Sequence, residues 1–239
     1  MTYEDAQPPL PAPSGTWPDS GPRWPASVGL IGLLIALGAT IVLAAILAVA
    51  YIAAGVDDPT DAASFDFAAI AAQSLAFVLA ALLMTRRLHP SAREFGFRSF
   101  KPSAFGWALL ALFSYFAVAI VYGLIVQPPE DDLTQQLGAD ESTTLAIITG
   151  VFVIGVAPIV EEFFFRGFLY QALRTRAGVV GGAVASGLIF GGIHLKPEYL
   201  FPLAALGTVL ALLFHKTGSL WPCVLVHAAN NALALAVTL

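Results

Sequence analysis

Apolar residues in this chain fall in long unbroken stretches instead of alternating with polar ones. Seven stretches can be counted, at about 27–55, 64–85, 103–126, 144–172, 178–195, 199–214 and 219–238. A helix rises about 1.5 Å per residue, so roughly 20 apolar residues cross the hydrocarbon of a bilayer. Most of the stretches meet that length; the fifth and sixth are short, and are expected to be tilted or partly re-entrant. The pattern predicts an all-α fold, a polytopic membrane helix bundle with about seven transmembrane segments. Composition agrees: 58% hydrophobic, 11% charged and a mean hydropathy of +0.80 are too apolar for an ordinary soluble domain.

Between the stretches the charges are segregated. Arg86, Arg87, Arg93, Arg98 and Lys101 follow the second, Arg174 and Arg176 follow the fourth, and Lys216 follows the sixth. The first and third connections instead carry Asp57, Asp58, Asp61, Asp66, Glu130, Asp131, Asp132, Asp140 and Glu141, with no Lys or Arg. The positive-inside rule then places the N-terminus and the basic loops in the cytoplasm and the C-terminus outside a cell membrane. Residues 1–26 are acidic and rich in proline, without a basic region leading into a short apolar core, and are expected to form a disordered cytoplasmic tail and not a cleaved leader. Residues 27–142 would hold three N-terminal helices and their loops, and 143–239 a core carrying the chemistry. The net charge of −5 adds little, because position decides its effect, and no nucleic-acid partner is expected. One cysteine, Cys223, excludes an intrachain disulfide and any multi-cysteine metal site.

Against this background the polar residues inside apolar stretches stand out. The fourth carries Glu161-Glu162-Phe163-Phe164-Phe165-Arg166, the fifth His194, and the seventh His227 with Asn231. Each ionisable group at membrane depth costs roughly 2.5–3.5 kcal/mol on insertion scales, so such residues mark functional sites by default. Counted from the basic ends of their segments, Glu161 lies about 20 Å inward, His194 about 27 Å, and His227 and Asn231 about 16 and 22 Å. These depths are comparable, as a shared buried site requires. Helix neighbours point about 100° apart, so Glu161 and Glu162 should not both face one small site. Arg166 follows Glu162 by four residues, the order that favours an ion pair, which leaves Glu161 available for chemistry.

Blander readings exist for each feature. The acid–acid–arginine cluster could be an ion pair that only fixes helix packing, and His227 with Asn231, sharing one face, could be hydrogen-bonding glue between helices. The glycines around His194 (Gly178, Gly181, Gly182, Gly187, Gly191, Gly192) read as close helix packing. Pro158 should disturb the helix just before Glu161 and free carbonyls there. Cys223, His227 and Asn231 share a helix face, so a thiol nucleophile is a rival catalyst.

The Glu-Glu-x-x-x-Arg of Glu161, Glu162 and Arg166, the Phe-x-x-x-His of Phe190 and His194, and the His-x-x-x-Asn of His227 and Asn231 resemble the three motifs of the CAAX-protease and bacteriocin-processing family of intramembrane proteases, in the same order and on successive apolar segments. The run Ala157 to Gly167 is similar to members of that family as well. The resemblance covers roughly residues 144–239. It implies an intramembrane endopeptidase in which Glu161 and His194 activate a water for attack on a peptide carbonyl, His227 and Asn231 stabilise the oxyanion, and Glu162, Arg166 and Phe190 support the site. A carboxylate in an apolar cavity is a better general base, and donors placed ahead of the developing charge stabilise the transition state.

Members of the family have been called metalloproteases. Glu161, His194 and His227 are therefore the candidates for a Zn²⁺ cofactor, although no His-Glu-x-x-His helix is present. The expected partners are the bilayer and a peptide or membrane-protein substrate, of the CAAX-like or leader-peptide kind. The alternatives are a catalytically silent immunity or scaffold protein and a small proton-coupled transporter; seven spans without a visible inverted repeat weigh against the latter.

Overall fold

The computed structural model describes residues 24–128 and 142–238. Most of the expected tail, and the acidic segment containing Glu130, Asp131, Asp132, Asp140 and Glu141, lie outside the described residues. Among those described there are helices and no strands. The first three helices are α1 (Ala26–Ala53), α2 (Ala63–Thr85) and α3 (Ser103–Val126). A long helical stretch follows, made of α4 (Thr143–Val151), a wide π-helical segment (Phe152–Val156), α5 (Ala157–Glu162), a second wide segment (Phe163–Tyr170) and α6 (Gln171–Gly192). Helices α7 (Leu200–Thr217) and α8 (Leu220–Thr238) complete the order.

Thr143–Gly192 is helical over 50 residues. A straight helix of that length would measure about 75 Å, more than twice the hydrocarbon thickness, so it has to fold back. It does so at Gly178, whose φ of 70° and ψ of −177° are open to glycine and strained for other residues. A Cβ on Gly182 would lie 2.8 Å from the Arg174 backbone, so the chain reverses tightly there. The reversal falls at the boundary between the fourth and fifth apolar stretches, 144–172 and 178–195. Five helical stretches are long and apolar enough to cross a membrane; the break divides one of them in two, and Leu220–Ala236 adds a shorter apolar helix, which gives about seven passes.

Lipid-facing chemistry covers the outside. Helix α1 buries only Ala26, Gly29, Gly32, Leu33 and Ala36, while Leu34, Ile41 and Val49 point outward. On α3, Leu124 and Ile125 are about three-quarters exposed, a surface that water would penalise and lipid accepts. The core gathers instead around the second wide segment. Phe164, Phe165 and Phe168 have no exposure; Phe77 of α2 stacks on Phe164 at 4.5 Å between centroids, and Phe190 of α6 meets Phe165 edge-on at 5.1 Å. Helices α6 and α7 touch backbone to backbone, since a Cβ on Gly187 would meet Ala204 O at 2.5 Å and one on Gly207 would meet Gly187 Cα at 2.7 Å. Glycine is required on both sides of that crossing.

Widening a helix displaces its carbonyls from their usual donors, and a buried carbonyl without a donor is costly. Side chains from elsewhere supply donors to the second wide segment: Ser186 Oγ to Phe165 O at 3.4 Å, Gln171 Nε2 to Gly167 O, and Trp24 Nε1 to Phe168 O at 3.0 Å. Trp24 falls within the expected tail, yet its indole is buried against Phe95 and Phe168.

The connection between α2 and α3 is more than a basic loop. Phe95 is buried and packs on Phe163 at 4.9 Å, and Phe97 lies between Phe163 and Trp221, 5.9 Å from each. Its backbone is pinned at Gly96 O by Leu220 N at 2.9 Å, at Arg98 O by Ser219 Oγ at 2.7 Å and at Glu94 O by Gln171 Nε2 at 3.0 Å. Residues 94–98 thus form a plug against Phe163, the residue that follows Glu162.

Candidate active site

Glu162 and Arg166 stand one helical turn apart where α5 passes into the second wide segment, and neither has any exposed side-chain surface. Arg166 Nη1 donates to Glu162 Oε1 at 2.8 Å, as their spacing predicts. Its Nη2 donates to Gly207 O at 3.1 Å, which the close α6–α7 crossing brings within reach. The guanidinium carbon lies 4.8 Å from the centroid of Phe190, a cation–π contact made stronger by the absence of water. Arginine suits this position because its planar fork serves two acceptors and an aromatic face at once.

His227 enters from α8. Its Nδ1 is 2.9 Å from Glu162 Oε1, and its Nε2 is 3.7 Å from Glu161 Oε2. The two carboxylates were expected to part company. An imidazole has a nitrogen on each side, and the His227 ring contacts both. Glu162 is therefore engaged by His227 as well as Arg166, through the same oxygen, while its Oε2 and Arg166 Nε are buried without a hydrogen-bond partner among the described residues. Glu161 keeps about 20% of its side chain exposed, against 4% for His227. Of the two acids it is the one a water can reach.

His194 follows the end of α6 and is exposed. Its Nδ1 is 2.7 Å from Phe190 O. A carbonyl only accepts, so Nδ1 carries the proton and Nε2 of the neutral ring presents a lone pair. The rings of His194 and His227 both pack edge-on against Phe190, at 4.9 and 5.6 Å between centroids. Phe190 is thus the hub that relates the second and third motifs, with Arg166 above it. Asn231, one turn beyond His227, donates from Nδ2 to Val153 O at 3.0 Å and accepts from Asn230 Nδ2 at 3.3 Å.

Glu161, Glu162, Arg166, Phe190 and His227 form one connected cluster, and His194 joins it through Phe190. Among the described residues, no two of Glu161, His194 and His227 converge on a common point with a third His, Cys, Asp or Glu side chain. Cys223 is fully buried, its thiol 3.4 Å from Leu210 O and 3.9 Å from Ser219 O. The plug at residues 94–98 had no place in the sequence reading, which expected carbonyls freed at Pro158 without singling out the Val153 carbonyl or its donor Asn231. A Pro five residues after Val153 was the available signal for that carbonyl; the plug left only aromatic residues, Phe95 and Phe97, in an otherwise basic loop.

A family model described as type II CAAX prenyl endopeptidase Rce1-like matches residues 143–233, a segment containing every motif position named above. A Bacillus subtilis (strain 168) protein named "Putative membrane peptidase YdiL" is 29% identical over 139 residues, 56% of this chain and 56% of that protein. An Escherichia coli protein named "Uncharacterized 24.3 kDa protein" is 29% identical over 130 residues, 50% of this chain and 60% of that one. The chain thus spans little more than half the length of the curated relatives it matches. No solved structure matches. Residues 143–233, which hold the three motifs in order, are thus similar to the type II CAAX prenyl endopeptidase Rce1-like family.

Proposed function

We propose that the protein is an intramembrane endopeptidase that hydrolyses peptide bonds of membrane-associated substrates with a side-chain-activated water. The observation that carries this reading is the contrast between the two acids: Glu162 is fully buried and held by Arg166 and His227, while Glu161 is partly exposed beside the same histidine. Glu161 takes the proton of the attacking water. His194, whose Nδ1–H is tied to Phe190 O, offers Nε2 as a second acceptor. With Nδ1 of His227 committed to Glu162, Nε2 is the nitrogen that faces the reaction; it receives the water's proton from Glu161, donates a hydrogen bond to the oxyanion, and passes the proton to the amine that leaves as the C–N bond breaks. CAAX-like and leader-peptide substrates remain the classes that the family resemblance implies.

The test uses purified protein in detergent and a library of fluorescence-quenched peptides, each carrying an acyl anchor. New peptide termini are expected from the wild type. Cys223→Ser should cleave at a rate within about twofold of wild type, because the thiol is enclosed and a hydroxyl can make the same bond to Leu210 O. Loss of cleavage in that variant alone would transfer the chemistry to the thiol. Binding of library peptides without cleavage would favour the silent scaffold.

Orientation belongs to the same proposal. The basic residues of the 86–101 connection put it, and the plug it contains, in the cytoplasm, with the exposed His194 toward the opposite face. Reporter fusions at 86–101 should read cytoplasm and fusions at 127–142 exterior; the reverse pattern would invert the side from which substrate enters.

A further inference from the structure

The first wide segment breaks the hydrogen-bond register just before the acids. Ala157 N–H donates to Phe152 O, five residues back, so the next carbonyl in that register, Val153 O, faces the nitrogen of residue 158. That residue is Pro158, which has no N–H. Asn231 Nδ2 occupies the vacant position at 3.0 Å. The bond joins positions 78 residues apart, on the helix bearing Glu161 and the helix bearing His227.

We infer that Asn231 is a positioning residue: it supplies the donor that Pro158 lacks, and by anchoring α8 to the Val153 carbonyl it sets the depth and rotation at which His227 meets Glu161. This deepens the protease reading and rests on it. Asn231 lies one turn after His227, so a shift at Asn231 moves the imidazole along the axis of α8. The Nε2 to Glu161 distance of 3.7 Å leaves little room for such a shift before the contact is lost. One of the two N–H groups of the Asn231 amide is held by Val153 O, a use that the motif alone does not imply.

The two roles differ in whether a backbone N–H can replace the side chain. Asn231→Ala leaves Val153 O without a donor and is expected to cut kcat about tenfold or more, with the thermal midpoint several degrees lower. Pro158→Ala restores an N–H at the right register. In the double variant, Pro158→Ala with Asn231→Ala, the midpoint should return to within about two degrees, and kcat to within about threefold, of Pro158→Ala alone, which is the coupling expected of two groups that share one carbonyl. If Asn231→Ala is recovered in too small a yield, Asn231→Asp takes its place, since it keeps the shape and loses the donor. Recovery of neither quantity, or of the midpoint without kcat, overturns the positioning role; the second pattern would return Asn231 to direct oxyanion stabilisation. If the wild type cleaves no library peptide while the midpoints still show the coupling, the protease reading fails and the anchor stands.

Discussion

Glu161→Gln is expected to lower the rate of peptide cleavage by about 10²–10⁴-fold, the range a positioned general base contributes. The substitution changes one oxygen for an amide nitrogen and leaves volume and shape almost unchanged, so packing around Phe190 and His227 should survive. Glu161 lies outside the tight part of the network: Arg166 touches Glu162 at 2.8 Å, whereas Glu161 Oε2 is 3.7 Å from His227 Nε2. A monodisperse elution profile and a thermal midpoint within a degree or two of wild type should accompany the lost activity. That separation between fold and chemistry is the point of the experiment. Retention of cleavage near the wild-type rate would remove Glu161 from the mechanism and leave His194 Nε2 as the base to test next.

Much of this arrangement was legible in the sequence because membranes make polar residues expensive. The segment limits follow from unbroken apolar runs, and the turn at Gly178 from a glycine next to two basic residues. The pairing of Glu162 with Arg166 follows from helical spacing alone. What stayed hidden depends on departures from regular helix geometry. An ideal wheel separates Glu161 from Glu162, but it does not reveal that one imidazole can span them, since that depends on how α8 is seated. Nor does a hydropathy pattern reveal that residues 94–98 turn inward, because a basic loop reads as solvent-facing until Phe95 and Phe97 are seen to need burial against Phe163. Trp24 was assigned to the tail for the same reason: its partner, Phe168 O, is a carbonyl freed by a local widening 144 residues away.

Arg166→Ala should damage the protein in a different way from Glu161→Gln. It removes the cation beside a carboxylate with no exposed surface, and truncating one partner of a buried ion pair costs about 3–5 kcal/mol because the other is stranded. Gly207 O loses its donor, and the ring of Phe190, which both His194 and His227 rest on, loses the guanidinium packed above it. The expected result is a marked fall in folded, membrane-inserted protein, and cleavage per folded molecule that falls as well. Arg166→Lys should recover only part of each, since an ammonium cannot serve Glu162 and Gly207 O together as the planar fork does. The informative variant is the paired change Glu162→Leu with Arg166→Met, which leaves no stranded charge. If the pair mainly secures folding, that variant should be as well folded as wild type and still active. If Glu162 also orients His227 through the 2.9 Å bond to Nδ1, it should fold well and cleave at least tenfold more slowly. The second outcome is the one expected here, because His227 would lose the partner that fixes its tautomer. An Arg166→Ala protein that inserts, melts and cleaves like wild type would show that the buried pair governs neither stability nor the site.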